Sequence, residues 1–277
     1  MVDSINTNAG SLLGVRSLRQ TNASQSKIQS ELSSGKKVNS AKDNAAILSI
    51  AQILKSNVAG LNSVKGSLDR AISTADVSLA AGDQVSDLLL QLKEKAVTAA
   101  DPGLDDASRS ALNDEFTALR DQINQVVGSA EFNGTNAVKS GGDDITAVTG
   151  EDASGNVTIA AQDLSLGGSN VTLGASQDIS SAANASAAVA AIEDSISNVS
   201  AAVGEIGAGA DQLQRTKDFT EALSDATEVG IGNLVDADLA KTSANLEANK
   251  VKEVLGIQTL SIANQQPASI LQLFGNG

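Results

Sequence analysis

An unbroken helical periodicity is the feature that most constrains this chain. From Ala45 to Leu79 the apolar positions step by three or four residues without a miss, at Ile47, Ile50, Leu54, Val58, Leu61, Val64, Leu68, Ile72, Ala75 and Leu79. Such spacing places an apolar stripe along one side of a helix. Pro102 and Gly103 end the pattern, which predicts a helix over 45–100, roughly 80 Å long at 1.5 Å per residue. A globular domain requires no helix of that length.

Further segments have the same period. Helices are expected over 11–32, after a cap at Asp105 or Asp106 as far as Gly128, from Ser181 toward Ile231 with Phe219 in its stripe, and over 234–274. Between 138 and 175 the period changes to the alternation of strands, which predicts two β-hairpins after a turn at 133–134. The predicted fold class is mainly α: a long helical coiled-coil rod with a small β-hairpin region.

The composition argues against an enzyme. Aromatic residues make up 1% of the chain, with no Trp, no Tyr and four Phe, whereas enzyme pockets are usually lined by aromatic side chains. His and Cys are absent, which removes imidazole chemistry, thiol nucleophiles, disulfides and the commonest metal ligands. Adjacent carboxylates such as Asp143 and Asp144 lie in predicted turns and are interpreted as solvated. No catalytic residue, metal ligand or cofactor is predicted.

Charge is distributed unevenly along the chain. The formal net charge is −14; residues 1–43 carry about +3, residues 236–277 about −1 and the middle about −16. An acidic chain is unsuited to nucleic acid, and no apolar run is long enough to predict a membrane span. The first residues lack the basic and apolar parts of a secretory signal, so these features alone predict a cytoplasmic protein.

The two chain ends carry narrow stripes that need partners. Near the start, Leu18, Thr21, Gln25, Ile28 and Leu32 alternate spacings of three and four, as in a coiled-coil seam. Near the end, Leu239, Leu246 and Leu260 follow a seven-residue repeat, Val254 and Ile257 are assigned to the same stripe, and Leu271 and Phe274 complete the segment. We therefore predict that the helices of the two chain ends pair with each other and with copies of themselves. A monomer that closes as a five-helix bundle and a coiled-coil adhesin or scaffold are the alternatives that the pattern leaves open.

Four stretches carry a resemblance to a known family. They are SINTNAGSLLG near the start, LSSGKKVNSAKDNAAILSIA (32–51), EFNGTNAV (131–138) and DADLAKTSANLEANKVKEVLGIQTLSIANQQPASILQLF (236–274). Matching together and in order, they resemble bacterial flagellins, and the chain is similar to the short flagellins of alphaproteobacteria, without a large variable surface domain. A hook–filament junction protein is the main alternative. A flagellin with an inserted protease would need His-Glu-x-x-His, and the chain has no His.

The resemblance implies a function and a location. It implies a structural subunit that self-polymerises into the flagellar filament for swimming motility. The same resemblance implies an inner domain of paired end helices, 1–43 with 236–277, and an outer helical domain, 44–235, with β-hairpins at about 138–175. It also implies type III export through the flagellar export apparatus without a cleaved signal peptide, and a chaperone, junction proteins and a cap as partners. The cytoplasmic expectation is thereby replaced by an extracellular one.

A receptor-like stretch departs from the family pattern. Flagellins that vertebrate Toll-like receptors sense carry a Leu-Gln-Arg-Val-Arg-Glu-Leu-Ala-Val type sequence, and the matching positions here include Gln91, Lys93, Glu94 and Lys95. Gln91 stands for an Arg and Lys95 for a Leu, so the resemblance implies weak receptor activation. Leu88 and Leu92 form an adjoining apolar face that assembly is expected to bury.

Overall fold

The protein is mainly helical. The computed structural model describes the backbone of residues 7–274 and the side chains of residues 7–265. That part of the chain forms α1 (Ala9–Ser34), α2 (Ala41–Ala99), α3 (Asp106–Ser129), β1 (Ile145–Val148), β2 (Asn156–Ile159), α4 (Ala182–Val235) and α5 (Leu239–Phe274). The predicted class and the order of the helices are confirmed. None of the described helices combines the length and the hydropathy needed to cross a membrane.

The chain packs as two compact units. The terminal unit contains the residues up to Ser56 and those from Thr227 onward, and the outer unit contains Asn57–Ala226. The sequence-based boundary at 43/44 falls at the kink of α2 at Asn44, and that at 235/236 falls at the end of α4. Packing changes partners instead at 56/57 and 226/227, inside α2 and α4. The two long helices therefore contribute residues to both units.

Short polar side chains set the helix ends. Asn8 caps α1 by accepting a hydrogen bond from the amide of Ser11 at 3.0 Å, and Gly35 ends that helix at φ 70°, a conformation that glycine adopts without strain. Asp105 caps α3 through the amide of Ser108 at 2.9 Å. Asn44 has extended backbone angles inside α2, and its side chain caps the helix that resumes at Ala45. The long regular helix therefore begins at the residue where the periodicity begins.

A buried arginine holds the connection between α2 and α3. The Arg109 guanidinium donates hydrogen bonds to the carbonyl of Ala99, to that of Asp101 at 3.0 Å and to that of Leu104 at 3.2 Å. These carbonyls lie at and just after the end of α2, where the helix leaves acceptors unpaired and a cation is favourable. Only 6% of Arg109 is exposed, so a buried side chain holds the connection between α2 and α3 in place.

The outer unit has one apolar core. Its largest fully buried side chains come from α2, α3, β1, α4 and the loop before α4, and include Leu68, Leu88, Leu92, Phe116, Ile123, Ile145, Leu173, Ile192 and Ile206. Two ion pairs join α2 to α4, Lys93 to Glu193 at 2.8 Å and Lys217 to Asp69 at 2.8 Å. The residue numbers rise along one helix as they fall along the other, so α2 and α4 are antiparallel.

The β region differs from the prediction of two hairpins. In the described chain β1 and β2 form one antiparallel hairpin, in the register Ile145↔Ile159 to Val148↔Asn156. The expected second hairpin is absent: Leu166 and Val171 make a single bridge, and the amide of Leu173 donates to Ser195 Oγ of α4 at 3.3 Å. The alternation there reflects an irregular segment that buries every second side chain on the core.

Phe219 also differs from its expected place. It was assigned to the apolar stripe of α4, but it is 68% exposed, while Thr220 and Ser224 occupy the buried positions of this part of the helix. The Thr220 hydroxyl donates to the carbonyl of Thr216 at 2.8 Å, so its polar atom is satisfied within the helix and burying it costs little.

Candidate assembly surface

α1 and α5 lie side by side and antiparallel. Gly14 lies against Leu260, Gly256 against Leu18, and Asn249 Nδ2 donates to Ser24 Oγ at 2.9 Å. At the start of α1, Asn8 Nδ2 donates to the carbonyl of Ala263 at 2.7 Å. The predicted pairing of the two end helices is confirmed within one chain.

The connectors at the other end of the pair are also joined. The amide of Lys37 donates to the carbonyl of Val235 at 2.8 Å, and the amide of Ala237 donates to the carbonyl of Gly35 at 2.9 Å. Val38 and Val235 are buried beside these bonds. The end of α1 and the start of α5 are therefore held together by backbone as well as by side chains.

The seam predicted for α1 faces α5. Leu18, Thr21, Gln25, Ile28 and Leu32 are all half-buried, and most residues between them are exposed. No residue of α1 is fully buried, and the buried Oε1 of Gln25 has no hydrogen-bond partner among the described residues. The seam is therefore thin and partly polar.

α5 presents a mostly polar or small row to α1. Among residues 239–265, the buried or half-buried positions are Thr242, Leu246, Asn249, Glu253, Gly256, Leu260 and Ala263. Their spacing of three and four is that of a coiled-coil seam. Leu246 and Leu260 lie in this row, as the seven-residue repeat predicts, and they are its only large apolar members.

Val254 and Ile257, which the sequence analysis assigns to the same stripe, lie outside the row that faces α1, and their role in assembly stays a prediction. Val254 is 64% exposed and Ile257 is 53% exposed, because each follows a row position by one residue and a step of one residue turns about 100° around a helix. Leu239 continues the repeat but is 48% exposed, since α1 ends before reaching it. The side chains of Leu271 and Phe274 lie outside the described residues.

The exposed side of α5 carries its stronger apolar face. We call it the outward face of α5, and it consists of Val251, Val254, Leu255, Ile257 and Ile262, each more than half exposed. Apolar side chains grouped in this way mark a surface that binds another protein. The sequence pattern contained these residues, but it did not tell which row α1 would cover.

The receptor-like stretch lies on α2 in the outer unit. Gln91 and Glu94 are exposed, Lys93 pairs with Glu193, and Lys95 pairs with Glu115 of α3 at 2.7 Å. The hydrogen bond and the charge of Glu115 raise the pKa of the Lys95 ammonium. The expectation that assembly buries Leu88 and Leu92 is corrected, because the core of the subunit already buries both.

The described residues contain no group of three acidic side chains arranged to hold a metal ion.

Two family models match the chain: the bacterial flagellin N-terminal helical region over residues 5–140 and the bacterial flagellin C-terminal helical region over residues 189–274. Together they cover the segments that form α1, α2 and α3 and almost all of α4 and α5.

This chain belongs to the bacterial flagellin family. It is 40% identical over 273 residues to flagellin FljM of Caulobacter vibrioides, with 99% of both chains covered. It is 30% identical over 280 residues to a flagellin of Brucella melitensis, which covers 98% of this chain and 99% of that one. These relatives confirm the resemblance to alphaproteobacterial flagellins.

Solved structures agree on the fold. A Bacillus cereus flagellin crystal structure matches with a TM-score of 0.50 and 20% identity, covering 56% of this chain and 88% of that one. A putative flagellar hook-associated protein from Vibrio parahaemolyticus matches with a TM-score of 0.56 and 16% identity, covering 70% of this chain and 100% of that one. At these identities the likeness concerns the fold alone, so the second structure does not favour a junction role.

Family membership establishes the role of this flagellin at a coarse level. It is a structural subunit that polymerises with its own copies into the extracellular filament of the flagellum. The residues that join the copies are a separate question, and the exposed apolar surface of α5 bears on it directly.

Proposed function

We propose that this flagellin builds its filament by burying the outward face of α5 against neighbouring copies. One observation carries the proposal: α5 packs its less apolar row against α1 and leaves its more apolar face exposed to solvent. The covered row contains two large apolar side chains among its seven positions, whereas five large apolar side chains of α5, those of the outward face, are left exposed. A helix that had evolved only to stabilise a monomer would bury the opposite side.

Energetics support polymerisation over a closed monomer. Ordering a residue costs about 1–2 kcal/mol of backbone entropy, and fully burying a Val, Leu or Ile side chain returns about 1.5–3 kcal/mol. α1 has no fully buried residue with which to offset that cost. The five side chains of the outward face supply the missing burial once a second copy covers them.

The charge distribution supports contacts through the chain ends. Residues 1–43 and 236–277 together are nearly neutral, whereas the middle of the chain carries about −16. Copies that meet through their end helices bring little like charge together, because most of the net negative charge lies in the middle of the chain. This arrangement fits an inner domain of 1–43 with 236–277 and an outer domain of 44–235.

The route to the filament is a further part of the proposal. Family membership supports export through the flagellar export apparatus without a cleaved signal peptide, with a chaperone before export and with junction and cap proteins at the ends of the filament. A chaperone also fits the structure, because an exposed apolar face on every free subunit would cause premature association.

Limited proteolysis of monomer and filament tests the burial of the chain ends. Trypsin sites on exposed side chains of α1 and α5, such as Arg19 and Lys252, are expected to be cut quickly in the monomer and to be protected in the filament. Lys139, an exposed residue of the outer unit, provides the internal control, because its cleavage should change much less. Equal protection of Arg19 and Lys252 in both states would contradict the proposal.

A further inference from the structure

An aromatic side chain is exposed on the outer unit. Phe219 lies on the surface of α4, and Arg215, Ala222, Leu223 and Ala226 share its side of the helix at spacings of three and four; we call these five residues the α4 strip. All five are exposed, and Arg215 is the one charged residue among them. In the part of the chain that the structure describes, no carboxylate pairs with Arg215.

α2 carries a surface of the opposite character. Its exposed residues Asp83, Asp87, Leu90, Glu94 and Val97 also alternate spacings of four and three, and we call them the α2 strip. Leu90 is 56% exposed and Val97 is 53% exposed. The three carboxylates make no ion pair within the described residues. The α4 strip therefore offers a cation and an aromatic side chain, and the α2 strip offers carboxylates and aliphatic side chains that can receive them.

The two strips of one copy are too far apart to meet. Because α2 and α4 are antiparallel, residues that face each other have numbers with a constant sum, which is 286 for both ion pairs between these helices. Phe219 therefore lies beside position 67 of α2. From there to Leu90 is about 23 residues, or roughly 35 Å of helix. Any contact between the α4 strip and an α2 strip therefore joins two copies.

We propose that the α4 strip of one subunit packs on the α2 strip of a second copy in the filament. Phe219 then lies between Leu90 and Val97, and Arg215 meets the carboxylates of Glu94 or Asp87. The matching three-and-four spacing allows side chains of two helices to interdigitate. Since two different surfaces meet, the contact is heterologous and each copy can repeat it with the next, as a polymer requires. The inference rests on the proposed function only in assuming that copies polymerise.

Disulfide cross-linking tests the contact, because the chain has no Cys of its own. A Leu90→Cys chain and a Phe219→Cys chain are each polymerised alone and as an equimolar mixture, then oxidised and analysed by denaturing electrophoresis. A disulfide requires Cα atoms about 4.4–6.8 Å apart. Covalent dimers are expected in the mixture and not from either chain alone. The control mixture of Leu90→Cys with Ser186→Cys, an exposed residue elsewhere on α4, should give none.

A charge swap tests the same contact without cysteine. Arg215→Glu is expected to raise the critical concentration for polymerisation about tenfold, because it places like charges together at each contact. Adding Glu94→Arg to the same chain should restore assembly, and melting temperatures of both variants within about 2 °C of the parent would exclude unfolding. The contact would be contradicted if the cysteine mixture formed filaments without covalent dimers and Arg215→Glu left the critical concentration unchanged. That result would not contradict assembly through α5. Loss of assembly in Val254→Asp is the separate test of α5.

Discussion

Asn249 of α5 donates a hydrogen bond from Nδ2 to Oγ of Ser24 in α1, 2.9 Å away and 225 residues earlier in the chain. Only 7% of Asn249 is exposed, and it occupies a seam position that an apolar residue would normally fill. A polar residue at such a position fixes the register of two helices at a cost in stability. The pair formed by α1 and α5 is thus specific and weak, as expected of a unit completed by other copies.

Replacing Asn249 tests how much this bond contributes. Asn249→Ala removes the donor and should weaken the α1–α5 pair by about 1 kcal/mol, the usual net value of one hydrogen bond. Hydrogen exchange at the amides of α1 should then accelerate roughly fivefold in the monomer. Asn245→Ala, an exposed change on the same helix, is the control. Equal exchange in the two variants would show that Asn249 does not hold the pair.

Two glycines of α2 differ in how closely other parts of the chain approach them. A Cβ at Gly60 would lie 2.6 Å from the backbone carbonyl oxygen of Glu151, at the tip of the hairpin, whereas one at Gly66 would meet only the end of Arg70 at 3.9 Å. Gly66→Ala should stabilise the helix by about 0.5–1 kcal/mol, while Gly60→Ala should destabilise the protein because backbone has to move. Urea midpoints of the two variants should shift in opposite directions. Shifts of the same sign would mean that the hairpin tip does not pack on α2.

The cap at Asp105 should make stability depend on pH. Hydrogen bonds from the hydroxyl and then the amide of Ser108 lower the pKa of the Asp105 carboxyl. Because the folded pKa lies below the unfolded one, this stabilisation is present above about pH 4 and is lost as the pH falls through the folded value. Asp105→Asn should flatten the decline in melting temperature below pH 4. Asp106→Asn lacks the capping geometry and should change the decline much less.

The receptor-like stretch of α2 gives a prediction about receptor signalling. Gln91→Arg together with Lys95→Leu should increase Toll-like receptor signalling by the soluble monomer, because it restores a guanidinium and an apolar side chain where sensed flagellins have them. Lys95→Leu also removes the ion pair with Glu115, whose side chain is 58% exposed and remains solvated. Lys95→Leu alone is therefore the control. No gain from the double variant, with helicity unchanged, would place the cause at other positions.

Periodicity predicted the helices well because it arises within each helix. Leu246 and Leu260 lie in the row that faces α1, as the repeat predicts, since residues seven apart stay on nearly the same side of a helix over a few turns. Val254 and Ile257 lie one position off that row, and the sequence does not tell whether such an apolar residue faces α1 or a second copy. Burial depends on what lies opposite, and that information is in α1 and in other subunits.

The hairpin region shows a different limit. Val171 and Leu173 alternate with polar residues as strands do, yet they pack on the core without a partner strand. Alternation reports burial of every second side chain, and pairing needs hydrogen-bond partners that the sequence does not reveal. Phe219 is predicted in the apolar stripe of α4 but is exposed, while the neighbouring Thr220 is buried and satisfies its hydroxyl within the helix.

Sedimentation of Val254→Asp chains tests most directly whether the outward face of α5 joins the copies. Val254 is exposed in the free subunit, so the variant should fold normally by circular dichroism. In a polymer contact each copy would bury an unpaired carboxylate and lose roughly 1.5–3 kcal/mol of burial, which should leave the chains in the supernatant. Asn245→Asp adds the same charge to an exposed polar position of α5 and should sediment like the parent. Normal filaments from Val254→Asp would contradict assembly through this face.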